Sequence, residues 1–252
     1  FFTPKTAYEI LSGLVGSEMC IRDSILGRSF FQPPSSLNLT HNNPGCLIVL
    51  EGIDGTGKST QARLLAETLR KKDFRVTQSR EPTNGPFGKT LRESATTGRL
   101  SAEEELDLFH KDRQQHVENL IHPALQAGEV VILDRYYFST MAYQGIRGFN
   151  PEEIRKTNER FAPSPDLLLL LDLSIDTAMS RIGVRDGSGN EFEKREALQL
   201  CRDIFHSVTD DFVHIIDAAQ SVDHTHEDIM TVVEPILAVS YTHLTLPTNR
   251  EV

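Results

Sequence analysis

The chain has 252 residues, of which 38% are hydrophobic and 25% are charged, as is typical of a globular protein that buries a sizeable core. Its formal net charge of -10 disfavours a general nucleic-acid binder, because such proteins carry basic faces that neutralise backbone phosphates. Three cysteines without C-x-x-C spacing do not suggest a disulfide framework, and no run reaches the roughly 18 apolar residues of a membrane span. We therefore expect a cytoplasmic protein with no membrane or nucleic-acid polymer as partner.

The two ends of the chain differ from the rest. Residues 1–44 lack sustained helical or strand periodicity. The runs VGSEMCIRDS at 15–24 and VSYTHLTLPT at 239–248 resemble translated adapter sequence from DNA library preparation. We expect residues 1–44 and 239–252 to be non-native or disordered extensions, and residues 45–238 to form one domain.

The first predicted element is a strand that leads into a glycine-rich loop. The apolar run at 46–50 predicts a strand buried on both faces of a parallel sheet. The segment GIDGTGKST at 52–60 matches G-x-x-x-x-G-K-[ST], and an amphipathic helix is predicted at 61–72. Strand, loop and helix in this order are typical of a P-loop, whose backbone N–H groups bind phosphate. The expected nucleotide-binding residues are Gly52, Asp54, Gly55, Thr56, Gly57, Lys58, Ser59 and Thr60.

The residue types of this loop predict ATP and Mg²⁺ as cofactors. Lys58 would reach the β- and γ-phosphates and act in catalysis, and Ser59 would place its hydroxyl on a Mg²⁺ ion that bridges them. Asp54 lies within the loop, which is unfavourable for a carboxylate beside phosphates unless a metal or a sugar hydroxyl requires it. We therefore count Asp54 among the candidate binding residues.

The rest of the chain alternates strands with helices. Further strands are predicted at 75–79, 130–133, 167–171 and 214–216. The helices are expected at 86–95, 101–125, 151–161, 176–182, 193–207 and 226–237. Ser101 is the predicted cap of the second of these, with Glu104 reaching back to it. The alternation predicts an α/β three-layer sandwich, in which helices cover both faces of a five-stranded parallel sheet and ligands bind at the carboxyl ends of the strands.

Four segments then resemble one family in the order in which that family has them. The run LDRYYFSTMAYQG at 133–145 resembles the D-R-Y/H…S-x-A-Y-Q-G signature of thymidylate kinases. REP at 80–82, LFHKDRQQHV at 108–117 and PDLLLLLD at 165–172 resemble the same family, and no N-K-x-D element of a guanine-specific switch follows the loop. The resemblance covers about residues 45–238. It implies a P-loop NTPase fold with a lid, transfer of phosphate from ATP to dTMP, and a homodimer packed through helices.

The resemblance also implies how the acceptor nucleotide binds. Phe109 and Arg113 are four residues apart on a predicted helix, so they share a face. The family pattern gives Phe109 to the thymine ring and Arg113 to its O4. It places Asp54 on the deoxyribose, and Tyr143 and Gln144 over the sugar and the pyrimidine edge, with Tyr143 excluding a 2′-hydroxyl.

Residues that follow two of the predicted strands are expected at the acceptor phosphate and the metal. Asp134 would bind Mg²⁺ or one of its water ligands. The guanidinium of Arg135 would bind the acceptor phosphate and take part in catalysis. Arg80 is expected beside the same phosphate or the base. We expect Tyr136, Tyr137 and Ser139 to be scaffold residues.

A further catalytic cation must come from outside the P-loop, because some family members have an arginine where this chain has Gly55. Arg181 and Arg185 flank a polar, Gly-rich segment that we expect to close over ATP as a lid at about 183–192. Both are candidate catalytic residues. Glu191 stands where an arginine commonly precedes the phenylalanine, which weakens the comparison of the lid.

Two alternatives stay open. The run REPTNGPFG at 80–88 departs from the usual family pattern, which allows a different acceptor such as dUMP, another monophosphate or a deoxynucleoside. The departures at Gly55 and Glu191 allow an inactive ATP-binding regulator. Retention of Lys58 and Arg135 counts against that second alternative.

Overall fold

Five parallel strands form the centre of the fold. The structure is a computed structural model that describes residues 44–98, 100–186 and 191–242, all within the unit that spans Leu39–Val252. The strands are β1 (Cys46–Glu51), β2 (Val76–Arg80), β3 (Val130–Asp134), β4 (Leu167–Asp172) and β5 (Val213–Asp217). They form one sheet in the order β2-β3-β1-β4-β5, and every neighbouring pair is parallel. The predicted five-stranded parallel α/β fold is confirmed, and each strand lies within two residues of its predicted bounds.

The register of the central strands determines where the loops after them meet. Every residue of β1 and β3 is buried, which explains why both strands are nearly continuous apolar runs. Leu50 of β1 pairs with Asp134 of β3, and Arg80 of β2 pairs with the same Asp134. The carboxyl ends of the three strands therefore lie side by side, and the loops that follow them meet at one edge of the sheet.

Helices connect the strands. They are α1 (Lys58–Lys71), α2 (Pro86–Thr97), α3 (Ala102–His116), α4 (His122–Gln126), α5 (Tyr137–Gly145), α6 (Pro151–Asn158), α7 (Ile175–Asp186), α8 (Glu191–His206) and α9 (Val222–Thr242). A π-helical turn, Val117–Ile121, joins α3 to α4, so the helix predicted at 101–125 is one continuous helical stretch. The predicted cap is present, because Ser101 Oγ accepts from Glu104 N at 3.1 Å while Ser101 N donates to Glu104 Oε2 at 3.0 Å.

Helix α5 was not predicted from the sequence. Its first turn has no capping side chain at Tyr136, the residue that precedes it. The carboxylate of Glu51, at the end of β1, accepts instead from the backbone N–H groups of Tyr136 at 2.7 Å and Ser139 at 3.0 Å. A cap supplied by a residue 85 positions earlier leaves no local signal for the start of a helix.

The predicted lid is described only in part. Helix α7 ends at Asp186 and α8 begins at Glu191, so the lid expected at 183–192 overlaps both helices. Its residues 187–190 lie outside the described residues, as do the predicted extensions at 1–43 and 243–252. Among the residues that the structure does describe, no helix has both the length and the apolar character needed to span a bilayer.

Candidate active site

The loop after β1 is built so that its backbone can surround an anion. Gly52 has φ 138°, and a Cβ at this position would lie 2.3 Å from the carbonyl oxygen of Leu171, so only glycine fits. Gly57, with φ 89°, turns the chain into α1, and within the described structure no side chain caps that helix. The first N–H groups of α1 are therefore directed at the loop, where a phosphate can accept from them.

The ammonium of Lys58 lies inside this loop. Lys58 is 5% exposed, and its Nζ donates to the carbonyls of Gly52 at 2.9 Å and Ile53 at 2.8 Å. Burial, and after it the nearby positive charge of Arg135, together lower the pKa of Lys58 from the usual 10.5 to about 7, although the charge of Asp54 acts in the opposite direction. Within the described part of the chain its hydrogen-bond partners are uncharged, so a phosphate bound in the loop would supply an anionic partner.

Ser59 and Asp134, which the sequence predicts as metal ligands, contact each other. The hydroxyl of Ser59 donates to Asp134 Oδ2, while Asp134 Oδ1 is buried and has no hydrogen-bond partner among the described residues. Mg²⁺ prefers one or two protein oxygen ligands together with water and phosphate oxygens. The described residues contain no cluster of three or more metal-binding side chains. This donor set therefore suits Mg²⁺ bound with a nucleotide rather than a closed protein metal site.

A cavity of about 600 Å³ opens beside the loop, between α3 and α5. Six of the seven predicted acceptor residues line it: Asp54, Phe109, Arg113, Arg135, Tyr143 and Gln144. The seventh, Arg80, is exposed at the end of β2 and does not line it. Most of the accessible surface of the lining is apolar, although charged residues such as Glu81, Glu105 and Arg147 also line it, and this mixture is typical of a pocket for one small organic ligand.

Arg113 is held rigidly at the cavity wall. It is 1% exposed, and its guanidinium donates to Glu81 at 2.8 Å, Asn158 at 2.6 Å and Thr140 at 2.9 Å. Glu81 also contacts Nδ1 of His116 at 3.0 Å, so both side chains of α3 are tied to the end of β2. His116 is buried and belongs to this cluster.

Arg135 lies where the loop and the cavity meet. It has φ 72°, and its N–H donates to the carbonyl of Leu50 at 3.0 Å, so the chain turns sharply directly after β3. Its guanidinium forms an ion pair with Asp54 of the loop and lies 5.3 Å from the centroid of the Tyr143 ring. The other side of the guanidinium donates to Ser139 Oγ at 3.0 Å. One cation thus contacts the loop and the cavity wall together.

Several residues of the site were missed by the sequence analysis. Glu81 lies within the REP segment, yet a buried partner for Arg113 is visible only once β2 and α3 are packed together. Arg147, two residues after the AYQG run, pairs with Glu105 at the cavity lining, and Glu51 binds the start of α5. A charged residue at the end of an otherwise apolar strand was the available signal for Glu51.

The candidate lid arginines are only partly described. The guanidinium of Arg181 is exposed and donates to the carbonyl of Gly55 in the loop at 3.2 Å. The side chain of Arg185 lies outside the part of the structure that is described. Arg181 is therefore the candidate that the fold places against the donor loop.

The chain is similar to a well-defined set of known proteins. The family model described as "Thymidylate kinase" matches residues 50–229. A thymidylate kinase of Akkermansia muciniphila is 52% identical over 182 residues, which cover 72% of this chain and 88% of that protein. Those of Xanthomonas campestris pv. campestris and Desulfotalea psychrophila are 48% and 46% identical, each over 79% of this chain, and the matches cover 89% and 99% of those proteins.

Proposed function

The chain belongs to the thymidylate kinase family, and we propose that it transfers the terminal phosphate of ATP onto dTMP, giving ADP and dTDP. The observation that carries this proposal is the position of Arg135. It pairs with Asp54 of the P-loop and also lines the acceptor cavity. Phosphoryl transfer requires a donor and an acceptor phosphate aligned on either side of the moving group, and a cation between the two sites favours that alignment.

On the donor side, backbone atoms do most of the binding. The N–H groups of the loop and of the first turn of α1 would hold the β- and γ-phosphates, and Lys58 would move from the loop carbonyls to the phosphate oxygens. Ser59 and Asp134 would hold Mg²⁺, which supplies neutralisation of the phosphate charge when it is bound. The chain itself needs no general base, because the reaction depends on positioning and charge.

On the acceptor side, side chains do most of the binding. Phe109 lines the cavity, where its ring can stack on a pyrimidine, and Arg113 lies four residues further along the same helix. The guanidinium of Arg113 is already fixed by Glu81, so it would donate to a base carbonyl without first losing conformational freedom. Tyr143 and Gln144 would contact the sugar and the edge of the base.

The proposal includes Arg181 as the cation that approaches the transferred phosphate. Its contact with the carbonyl of Gly55 brings it to the donor loop from α7. An arginine at this point can stabilise negative charge on the phosphoryl oxygens as it develops. Arg185 stays a second candidate for the same role.

The segment that departs from the family pattern is held away from the reacting groups. The N–H of Thr83 donates to Asp112 Oδ2 at 2.7 Å, and its hydroxyl donates to Asp112 Oδ1 at 2.6 Å. Of the departing residues 83–88, none lines the cavity. Among the described residues, the departing segment therefore gives no reason to prefer another acceptor to dTMP.

We also propose a homodimer packed through helices, located in the cytoplasm, on the strength of the family resemblance. Size-exclusion chromatography with light scattering would give about twice the chain mass of 28.3 kDa. A mass of one chain across micromolar concentrations would overturn this assembly and leave the reaction untouched.

The decisive experiment is a coupled ADP-release assay on the full chain. The panel contains dTMP, dUMP, dCMP, dAMP, dGMP and thymidine, each with ATP and Mg²⁺, and Lys58→Ala serves as the inactive control. We expect turnover with dTMP to exceed turnover with every purine acceptor. Equal rates on purine and pyrimidine acceptors would remove the thymidylate assignment, and binding of ATP without turnover of any acceptor would favour a regulator.

A further inference from the structure

Glu51 is a buried carboxylate to which the reaction described above gives no role. It is the last residue of β1, directly before Gly52 of the donor loop, and it is 0% exposed. Five apolar residues precede it in a strand that is buried throughout. Burying a carboxylate there is costly unless hydrogen bonds compensate for the lost water, so a specific set of partners is expected.

The partners of Glu51 all come from the start of α5. Oε1 accepts from the backbone N–H groups of Tyr136 at 2.7 Å and Ser139 at 3.0 Å, and Oε2 accepts from the hydroxyl of Ser139 at 2.6 Å. These three bonds satisfy the carboxylate and cap the helix. A serine just before α5 would cap the helix without placing a buried charge beside the donor loop.

The same hydroxyl extends the contact to Arg135. The Oγ of Ser139 donates to Glu51 and accepts from Arg135 Nη1 at 3.0 Å. Arg135 Nη2 pairs with Asp54, three residues after Glu51 in the chain. The guanidinium is therefore held at one nitrogen by the donor loop and at the other, through a single hydroxyl, by the residue that precedes that loop.

We propose that Glu51 is a positioning residue, which orients Arg135 towards the acceptor phosphate through the hydroxyl of Ser139 and so keeps the acceptor arginine aligned with the donor loop. The inference rests on the proposed function for the identity of the acceptor. The inference goes beyond the proposed function because it assigns roles to Glu51 and Ser139. Ser139 was predicted from the sequence to be a scaffold residue. Glu51 itself touches neither substrate.

The electrostatic surroundings of Glu51 agree with this role. Burial raises the pKa of Glu51 overall, while the positive charge of Arg135, the hydrogen bonds from Ser139 and Tyr136, and the charge of Lys58 act in the opposite direction and favour the carboxylate. The ionised form of Glu51 is thus stabilised by Arg135, the same cation that Glu51 helps to orient. Exchange for a neutral side chain of the same shape should weaken the hold on Arg135 while leaving the packing of β1 intact.

The test compares Ser139→Ala and Glu51→Gln with the parent, using the full chain. Ser139→Ala removes only the bridging hydroxyl, and Glu51→Gln keeps the volume and one accepting oxygen. A hydrogen bond to a charged group contributes enough that its loss should raise the KM for dTMP about tenfold to hundredfold. The KM for ATP should stay unchanged. Ser207→Ala, which removes a helix-terminal hydroxyl bonded to the carbonyl of Ile204, is the matched control and should leave both constants unchanged.

A second measurement follows Arg135 directly and needs no substrate. The guanidinium N–H resonances of Arg135, assigned by their loss in Arg135→Lys, should show restricted rotation in the parent protein. In Ser139→Ala and Glu51→Gln they should exchange freely. If Glu51→Gln does not fold, Ser139→Ala alone decides the question.

The outcomes separate the two proposals. A parent protein that does not phosphorylate dTMP, but whose Arg135 signals loosen in both variants, would contradict the proposed function and retain the positioning role. An active parent whose variants keep the dTMP constant and the Arg135 signals would overturn the positioning role. A drop in unfolding temperature with equal losses for dTMP and ATP would also overturn it, because Glu51 would then be only a helix cap.

Discussion

The donor loop and the acceptor cavity are built in opposite ways. The loop is one continuous segment, residues 52–60, and it presents mainly backbone N–H groups whose direction is set by glycines at positive φ. The cavity is assembled from side chains that are brought together by β2, β3, α3 and α5. A site made of backbone can be recognised from a short motif, whereas a site made of side chains exists only once distant helices have packed.

The cations of the two regions differ in the same way. Lys58 contacts neutral carbonyls in the loop and can exchange them for a phosphate. Arg113 is paired with a buried carboxylate, Glu81, and with two further acceptors. We therefore expect loss of Lys58 to affect the reaction but not the fold, and loss of Arg113 to affect both.

The largest expected effect comes from Arg113→Ala. Removing one partner of a buried pair leaves Glu81 charged and unpaired apart from His116, which should lower the free energy of unfolding by about 3–5 kcal/mol. Urea unfolding followed by circular dichroism measures this. An unchanged urea midpoint would show that Arg113 contributes no more to the stability of the fold than Lys58 does.

Lys58→Ala should show the converse behaviour in the donor loop, namely a loss of rate without a loss of stability. Loss of a cation that stabilises developing phosphate charge should reduce kcat by about 10² to 10³. Steady-state assays at saturating ATP and dTMP measure the rate, and urea unfolding should show no loss of stability. A large loss of stability would contradict the view that the buried ammonium is held only by exchangeable contacts.

Phe109→Ala tests the cavity alone. Stacking of a base on an aromatic ring contributes about 1–3 kcal/mol, so the Kd for dTMP should rise about tenfold to hundredfold. Titration calorimetry with dTMP and with ATP measures both sites, and the affinity for ATP should not change. Phe109→Tyr is the control, since it keeps the ring, and it should retain most of the affinity for dTMP.

The smallest expected effect is a pH dependence confined to the donor loop. With a pKa of about 7 in the ligand-free protein, Lys58 is mostly neutral at pH 8, and bound phosphate would restore its charge. Binding of ATP should therefore take up protons above pH 7, and the affinity should fall by up to about tenfold per pH unit. Calorimetry at pH 8 in two buffers of different ionisation enthalpy measures the uptake.

The same shift in the pKa of Lys58 has the opposite effect on stability: the affinity for ATP falls as pH rises, whereas the free energy of unfolding increases. The folded pKa of about 7 lies below the usual 10.5, so between these values the unfolded chain holds the extra proton and stability rises with pH. Lys58→Arg removes both trends because arginine stays charged. Equal proton uptake by the parent and by Lys58→Arg would show that another group titrates.

The sequence predicted the fold well because its signals are local. The apolar runs of β1, β3 and β4 are buried, and the capping box at Ser101 is present. Helix α5 was missed because its cap, Glu51, belongs to another element. Local pattern therefore sufficed wherever the stabilising partner lies within a few residues.

The site was predicted less evenly, for the same reason. Of the seven acceptor residues that the family motifs predicted, six line one cavity, and Arg80 is exposed outside it. No spacing rule could find that Glu81 binds both Arg113 and His116, since these contacts span 32 and 35 residues. The roles of the individual residues stay predictions until variants are measured.

The cluster around Glu81 also determines which part of the cavity wall can move when a ligand enters or leaves. Glu81 fastens α3 to the end of β2 through two side chains, and His116 adds a contact to Ser79 at 2.8 Å. Towards the other end of α3, the cavity rim is joined by the pair between Glu105 and Arg147, which are only partly buried. Admission and release of a ligand should therefore proceed by displacement of that rim, while the buried floor keeps its shape throughout the catalytic cycle.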